Sequence, residues 1–252
     1  MMLDAGATTI NYEISGSGPP LLLSHGVIES SASWEELAPL LGRHFQVIAH
    51  DARARGRSGW DGRPFGYPEL AADVESLASH LGLERFCHVG HSMGGRVVLE
   101  HALVNPWRVR GLAVVSARAE APADAGRQRL RDLMARARQL GPGAAVDMWT
   151  GPADAHYDRV RSISATSSLA GTCAALEALI EMESLVPRLD EIRVPTLVLS
   201  GNRDAGYLRS AFTMARHIPG ATLQVLEGAG HFPNFECPEA LAEALVHFFD
   251  TA

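Results

Sequence analysis

Lysine is absent from this chain of 252 residues, so all 22 of its basic side chains are arginine. Arginine stays protonated and forms no Schiff base. Pyridoxal-phosphate enzymes, lysine aldolases, Walker-A nucleotide sites and protein kinases all need a lysine amine and are excluded. Cysteine is scarce as well. Cys87, Cys173 and Cys237 are far apart, odd in number and form no C-x-x-C pair. This argues against a disulfide framework or zinc cluster and for a reducing compartment. No apolar run approaches the ~20 residues of a membrane-spanning helix. Met1 to Gly6 contain neither a basic n-region nor an apolar h-region. A cytoplasmic protein without a membrane partner is expected. Positive charge is in deficit too: 29 acidic residues against 22 basic give −7 at pH 7. Such a surface repels phosphate backbones, so nucleic acid is not the expected partner.

What is present is the composition of a packed globular chain, 46% hydrophobic and 20% charged with a mean hydropathy of +0.01. The length suits one large α/β domain. Strand signals fall at Thr8–Ile14, Leu21–Ser24, Phe45–Ala49, Phe86–Gly90, Leu112–Ser116, Thr196–Ser200 and Leu223–Leu226. Most are short continuous apolar runs, the pattern of strands buried on both faces. Between them the spacing predicts helices over Trp34–Leu41, Tyr67–Leu81, Gly94–Val104, Leu208–His217 and Pro238–Phe249. This alternation predicts a parallel sheet covered by helices.

The alternation stops between Ala119 and Arg188, which are rich in Ala, Arg and Gly and contain no convincing strand. A helical insertion between two strands is expected there. Within it, Arg127–Arg138 holds five arginines in twelve residues, which invites an anionic partner. However, Leu130, Leu133, Met134 and Ala137 form an i, i+3, i+4, i+7 stripe, so the preferred reading is a solvated amphipathic helix.

The strongest chemical signal is Gly90-His91-Ser92-Met93-Gly94-Gly95, between an apolar strand and a helix that starts at once. G-x-S-x-G in that context is a nucleophile elbow, a turn sharp enough to lift the serine above the sheet edge. A serine nucleophile needs a base, and the base needs an acid to orient it. Asp204 follows the penultimate predicted strand, and His231 follows the last in Gly228-Ala229-Gly230-His231-Phe232-Pro233. All three candidates lie at strand ends, where parallel sheets build their sites. Glu120 is the rival acid, after the preceding strand. His88 and His91 are three apart, but a strand and a tight turn aim them differently and no further ligand completes a metal set.

With these residues the sequence resembles the α/β-hydrolase superfamily in its serine-esterase and enol-lactonase branch, over nearly the whole chain. His25-Gly26, Asp51–Ser58 and Pro195–Asp204 also carry the likeness. The resemblance implies a mostly parallel eight-stranded sheet flanked by helices, with a helical cap inserted after the sixth strand. Residues 1–118 and 189–252 would form the core and 119–188 the cap. It implies Ser92 as nucleophile, His231 as base and Asp204 as acid, with the backbone N–H groups of Val27 and Met93 as oxyanion donors. His25, Trp149, His156, Tyr157 and Phe232 are candidates for contact with substrate. One segment departs from the pattern: Ala54 stands where many relatives have a glycine. Arg53, Arg55 and Arg57 around it are read as bracing that loop or as solvated.

The expected activity is hydrolysis of a small carboxylic ester or lactone, with no cofactor and no metal. Similar sequences also include C–C bond hydrolases and cofactor-free haloperoxidases that act as perhydrolases. A ligand-binding receptor on the same fold is the non-enzymatic alternative. An unperturbed histidine titrates near ~6.5, and a neighbouring carboxylate favours its charged form. The acid limb of activity is therefore expected at about 6.5–7.5.

Overall fold

The apolar runs pair into one sheet in a computed structural model that describes residues 1–251. Its strands are β1 (Met2–Asp4), β2 (Thr9–Ser15), β3 (Pro20–Ser24), β4 (Gln46–His50), β5 (Phe86–His91), β6 (Val109–Val115), β7 (Thr196–Gly201) and β8 (Thr222–Leu226). Their order is β1-β2-β4-β3-β5-β6-β7-β8. The β1–β2 and β2–β4 pairs are antiparallel and every other pair is parallel. β3 lies between β4 and β5, so the chain reverses its direction of travel across the sheet there. Open α/β sheets bind ligands at such a point, beyond the carboxyl ends of the strands.

Successive residues of each strand face opposite layers. Leu21, Leu23, Val89, Ala113 and Leu199 pack on one face beneath α1 (Leu37–Leu41) and α9 (Pro238–Thr251). Leu22, Leu112, Val114 and Val198 face the other layer, formed by α2 (Tyr67–His80), α3 (Met93–Val104) and α7 (Ala205–His217). Burial on both faces explains the continuous apolar runs.

After β6 the chain forms helices only, until β7. They are α4 (Asp124–Leu140), α5 (Tyr157–Ala165) and α6 (Leu169–Ile180), with 3₁₀ turns at Pro142–Met148 and Val186–Glu191. α4 buries the stripe Leu130, Leu133, Met134 and Ala137. Among the described residues no single helix is long and apolar enough to cross a membrane.

Three elements differ from the sequence expectation. β1 has only three residues, too few for periodicity to register. The helix expected over Trp34–Leu41 divides into a 3₁₀ turn, Ser31–Trp34, and α1. Pro39 lacks an N–H and is tolerated only in a helix's first turn, so α1 begins just before it. A short helix, α8 (Pro233–Glu236), begins two residues after His231.

Candidate active site

Ser92 sits between β5 and α3 with φ 53° and ψ −113°. A non-glycine residue at positive φ is strained, and such strain persists only where the surroundings enforce it. The Ser92 N–H donates to the Val115 carbonyl at 2.9 Å, tying the elbow to β6. The flanking glycines are steric requirements. A Cβ on Gly94 would collide with the Ser24 carbonyl, and one on Gly90 with the Gly94 carbonyl. The serine hydroxyl lies 3.1 Å from His231 Nε2. His231 Nδ1 lies 2.7 Å from Asp204 Oδ2. With the carboxylate ionised, Nδ1 carries the proton and donates, which leaves Nε2 as an acceptor for the Ser92 hydroxyl. Glu120 is elsewhere: its carboxylate accepts from the Ser210 hydroxyl.

Burial lowers the pKa of His231 below its ordinary 6.5; Asp204 opposes this and the charge on His91 reinforces it. The sequence-based expectation of a raised value is thereby corrected. It counted the carboxylate and had no measure of the desolvation of a ring that is 7% exposed.

His91 accounts for part of that field. Its Nδ1 lies 2.7 Å from Glu29 Oε2 and its Nε2 2.6 Å from the His231 carbonyl. Both neighbours accept, so the ring holds two protons and is an imidazolium. Glu29 also accepts from the Gly26 N–H at 2.5 Å and from the Asn234 amide at 3.2 Å. Burial pushes the Glu29 carboxyl upward, but His91 and the smaller pulls behind it, the Gly26 N–H among them, together more than offset this and hold it at about 2.

Ser92, Met93, Trp149, Asp204, Tyr207 and His231 border a cavity of about 1020 Å³ between the sheet and residues 122–182. Val27 is buried and lies outside its wall. Among the described residues, neither the Val27 nor the Met93 N–H has a hydrogen-bond acceptor in the protein. Met93 is the first residue of α3, where helix geometry leaves the N–H unpaired.

Of the five candidates for substrate contact, only Trp149 borders the cavity. Its indole is stacked 6.2 Å from the His231 ring and donates to the Tyr207 hydroxyl at 3.0 Å. The other four are engaged in the packing around the site. His25 Nδ1 donates to the Gly26 carbonyl at 2.7 Å, and its Nε2 accepts from the Ala52 N–H at 2.9 Å. Burial lowers its pKa, so it is a neutral brace for two loops. His156 bonds to the Thr150 hydroxyl and stacks on Phe235. Tyr157 donates to Asp147 at 2.9 Å. Phe232 is 1% exposed and packs against His91 and His231.

Tyr207 escaped the sequence reading. Its ring lies 4.3 Å from that of His231, and burial raises its pKa. The available signal was its place three residues after Asp204, on the first turn of a helix opening at a strand end.

The Asp51–Ser58 loop is built by its arginines. Arg53 forks onto Asp73 with two 2.6 Å bonds. Arg55 is fully buried, donates to Thr172 at 2.7 Å, and is lowered to about 10 by burial. Arg57 reaches Glu13 at the surface. Ala54 adopts φ 63°, the left-handed region a glycine would enter freely.

The sequence profile of the alpha/beta hydrolase family matches residues 21–244, and the chain belongs to that family. A thermophilic esterase from Thermogutta terrifontis superposes with a TM-score of 0.90 at 27% identity, covering 99% of this chain and 96% of that one. The enol-lactonase from Burkholderia xenovorans superposes with a TM-score of 0.91 at 25% identity over 100% of both chains. A non-heme haloperoxidase from Rhodococcus erythropolis is 30% identical, with 89% of each chain covered. The chain is thus similar to hydrolytic enzymes throughout its length.

Proposed function

We propose that this protein is a cytoplasmic serine hydrolase of small carboxylic esters or lactones. The observation that carries the reading is the continuous hydrogen-bonded line from Ser92 through His231 to Asp204 at the cavity wall. The similarity to an esterase and an enol-lactonase supports it.

In this reading Ser92 Oγ attacks the substrate carbonyl while His231 Nε2 takes its proton. Asp204 holds the imidazole in the required tautomer and stabilises the imidazolium that forms. Negative charge develops on the former carbonyl oxygen and is received by the unpaired N–H groups of Met93 and Val27. Losing one such donor typically costs about 10²–10³ in rate. His231 then gives its proton to the leaving alcohol. A water activated by the same ring cleaves the acyl-enzyme and restores Ser92. Residues 119–188 act as a cap whose side chains set selectivity, while the core supplies the chemistry.

The test combines a fluorophosphonate probe with steady-state turnover of short p-nitrophenyl esters. Labelling of Ser92 and fast multiple turnover are expected. Ser92→Ala, still folded by circular dichroism, should lose at least about 10³ in kcat. A folded Ser92→Ala protein retaining more than about a tenth of wild-type kcat would overturn the nucleophile assignment. Labelling followed by a single slow turnover would instead identify a ligand-binding receptor.

A further inference from the structure

Four arginines border the cavity, and they differ in how they are paired. Arg96 is buried and pairs with Glu100 at 2.8 Å. Arg136 pairs with Asp147 at 2.6 Å. Among the described residues, Arg118 and Arg129 have no carboxylate within 4.0 Å. Of the acids on the same wall, Asp204 is engaged by His231 and Asp147 by Arg136 and Tyr157. Asp132 accepts from Gln128.

Arg118 is exposed at the cavity mouth and rests against one aromatic ring. It follows β6 at its carboxyl end, beside the strand that carries Ser92. Its guanidinium carbon lies 4.5 Å from the centre of the Tyr207 ring, and that ring lies 4.3 Å from the His231 ring. The cation and the imidazole thus both lie against the Tyr207 ring. Gly206 provides the room, since a Cβ there would stand 2.8 Å from a guanidinium nitrogen. Stacking occupies a face of a guanidinium and leaves the N–H donors on its edge available. Among the described residues those donors have no hydrogen-bond acceptor. An unpaired guanidinium fork resting on a ring at the cavity wall is the shape and charge that receives a carboxylate through two parallel bonds.

Resting on the hydrolase reading of Ser92, we infer that the substrate carries a free carboxylate besides the ester or lactone that is cleaved. Arg118 receives it in a bidentate fork, and Arg129, on α4, supplies a second positive charge. The substrate class is then a monoester of a dicarboxylic acid, an acyloxy acid, or a lactone bearing a carboxylate. Water cleaves the acyl–oxygen bond, giving an acid and an alcohol, while the recognised carboxylate passes through unchanged. The apolar part of the wall, including Leu130, Leu133 and Met182, suits the carbon chain between the two groups.

The experiment compares kcat/KM within two size-matched pairs, in which an isopropyl group replaces the carboxylate. Monomethyl glutarate is set against methyl 5-methylhexanoate, and 4-acetoxybutanoate against 4-methylpentyl acetate. In at least one pair the wild type should favour the charged ester by about tenfold or more at low salt, and by less as salt screens the exposed fork. Arg118→Gln should remove most of that advantage, whereas Arg118→Lys should keep part of it. A purely structural role for Arg118 would lower both members of a pair alike and leave their ratio unchanged. The inference is overturned if neither pair favours the charged ester, or if the ratio survives Arg118→Gln. In either case, turnover of the neutral esters with labelling of Ser92 would leave the hydrolase reading standing. Should no ester be turned over, titration of Ser92→Ala with glutarate decides the question. Binding that is lost on adding Arg118→Gln supports the carboxylate site, and absence of binding removes it.

Discussion

His91 donates through Nε2 to the backbone carbonyl of His231 at 2.6 Å while its Nδ1 is held by Glu29 at 2.7 Å. Glu29 in turn takes the N–H of Gly26, in the loop that follows β3. One buried ion pair thus joins the loop before the proposed oxyanion donor Val27 to the loop bearing the proposed base. It also sets a positive charge beside that base, with ring centres 5.1 Å apart.

The first consequence is a pH profile. In the proposed mechanism activity needs neutral His231, and burial, reinforced by the His91 charge, lowers its pKa below 6.5 against the opposing pull of Asp204 and Glu29. The acid limb of kcat/KM is therefore expected below pH 6.5, with activity rising as the ring loses its proton. His91→Gln removes the neighbouring cation, and the limb should move upward. A midpoint that does not move in this variant, measured across pH 5–9, would show that the imidazolium does not act on His231.

Asp204 and Glu120 separate cleanly by mutation. Asp204→Asn can present an amide N–H to His231 Nδ1 and favour the wrong tautomer, which in a well-studied protease triad costs about 10⁴ in kcat. Glu120→Gln changes a contact with Ser210 and should leave turnover near normal. The reverse pattern would transfer the orienting role to Glu120.

Ala54 offers a stability test. Left-handed backbone costs a non-glycine residue about 1–2 kcal/mol, while glycine's greater freedom in the unfolded chain returns about 0.5–1 of that. Ala54→Gly should raise Tm by about 1–3 °C. A fall in Tm would mean that the alanine methyl contributes more by packing than the backbone loses by strain.

Trp149 and Tyr157 should behave differently although both belong to the helical segment. Trp149 borders the cavity and stacks on His231, whereas Tyr157 donates to Asp147 and lies outside the cavity wall. Trp149→Ala should shift the octanoate-to-acetate ratio of kcat/KM by about tenfold or more, since a pocket methylene is worth about 1–3 kcal/mol. Tyr157→Ala should leave the ratio where it is. Equal shifts in both would place Tyr157 in the pocket after all.

The strand runs, the helical insertion and the elbow at Ser92 were legible in the sequence because each is a local property. Burial on both faces makes a strand continuously apolar, and the elbow needs glycines at fixed offsets. The places of Asp204 and His231 at strand ends were legible for the same reason, since each follows its own strand. β1 was not, because three residues show no period. Tyr207, the Glu29–His91 pair and the unpaired Arg118 came only from the tertiary structure. Nothing near Glu29 in the chain announces a partner 62 residues away. His25, His156 and Phe232 carry groups suited to a site, yet packing turned them to structural use. The pKa of His231 shows the division most plainly. The sequence supplied its carboxylate neighbour, one pairwise contact that raises the value. The structure supplied desolvation, a sum over every group that excludes water from the ring, and that sum reverses the direction.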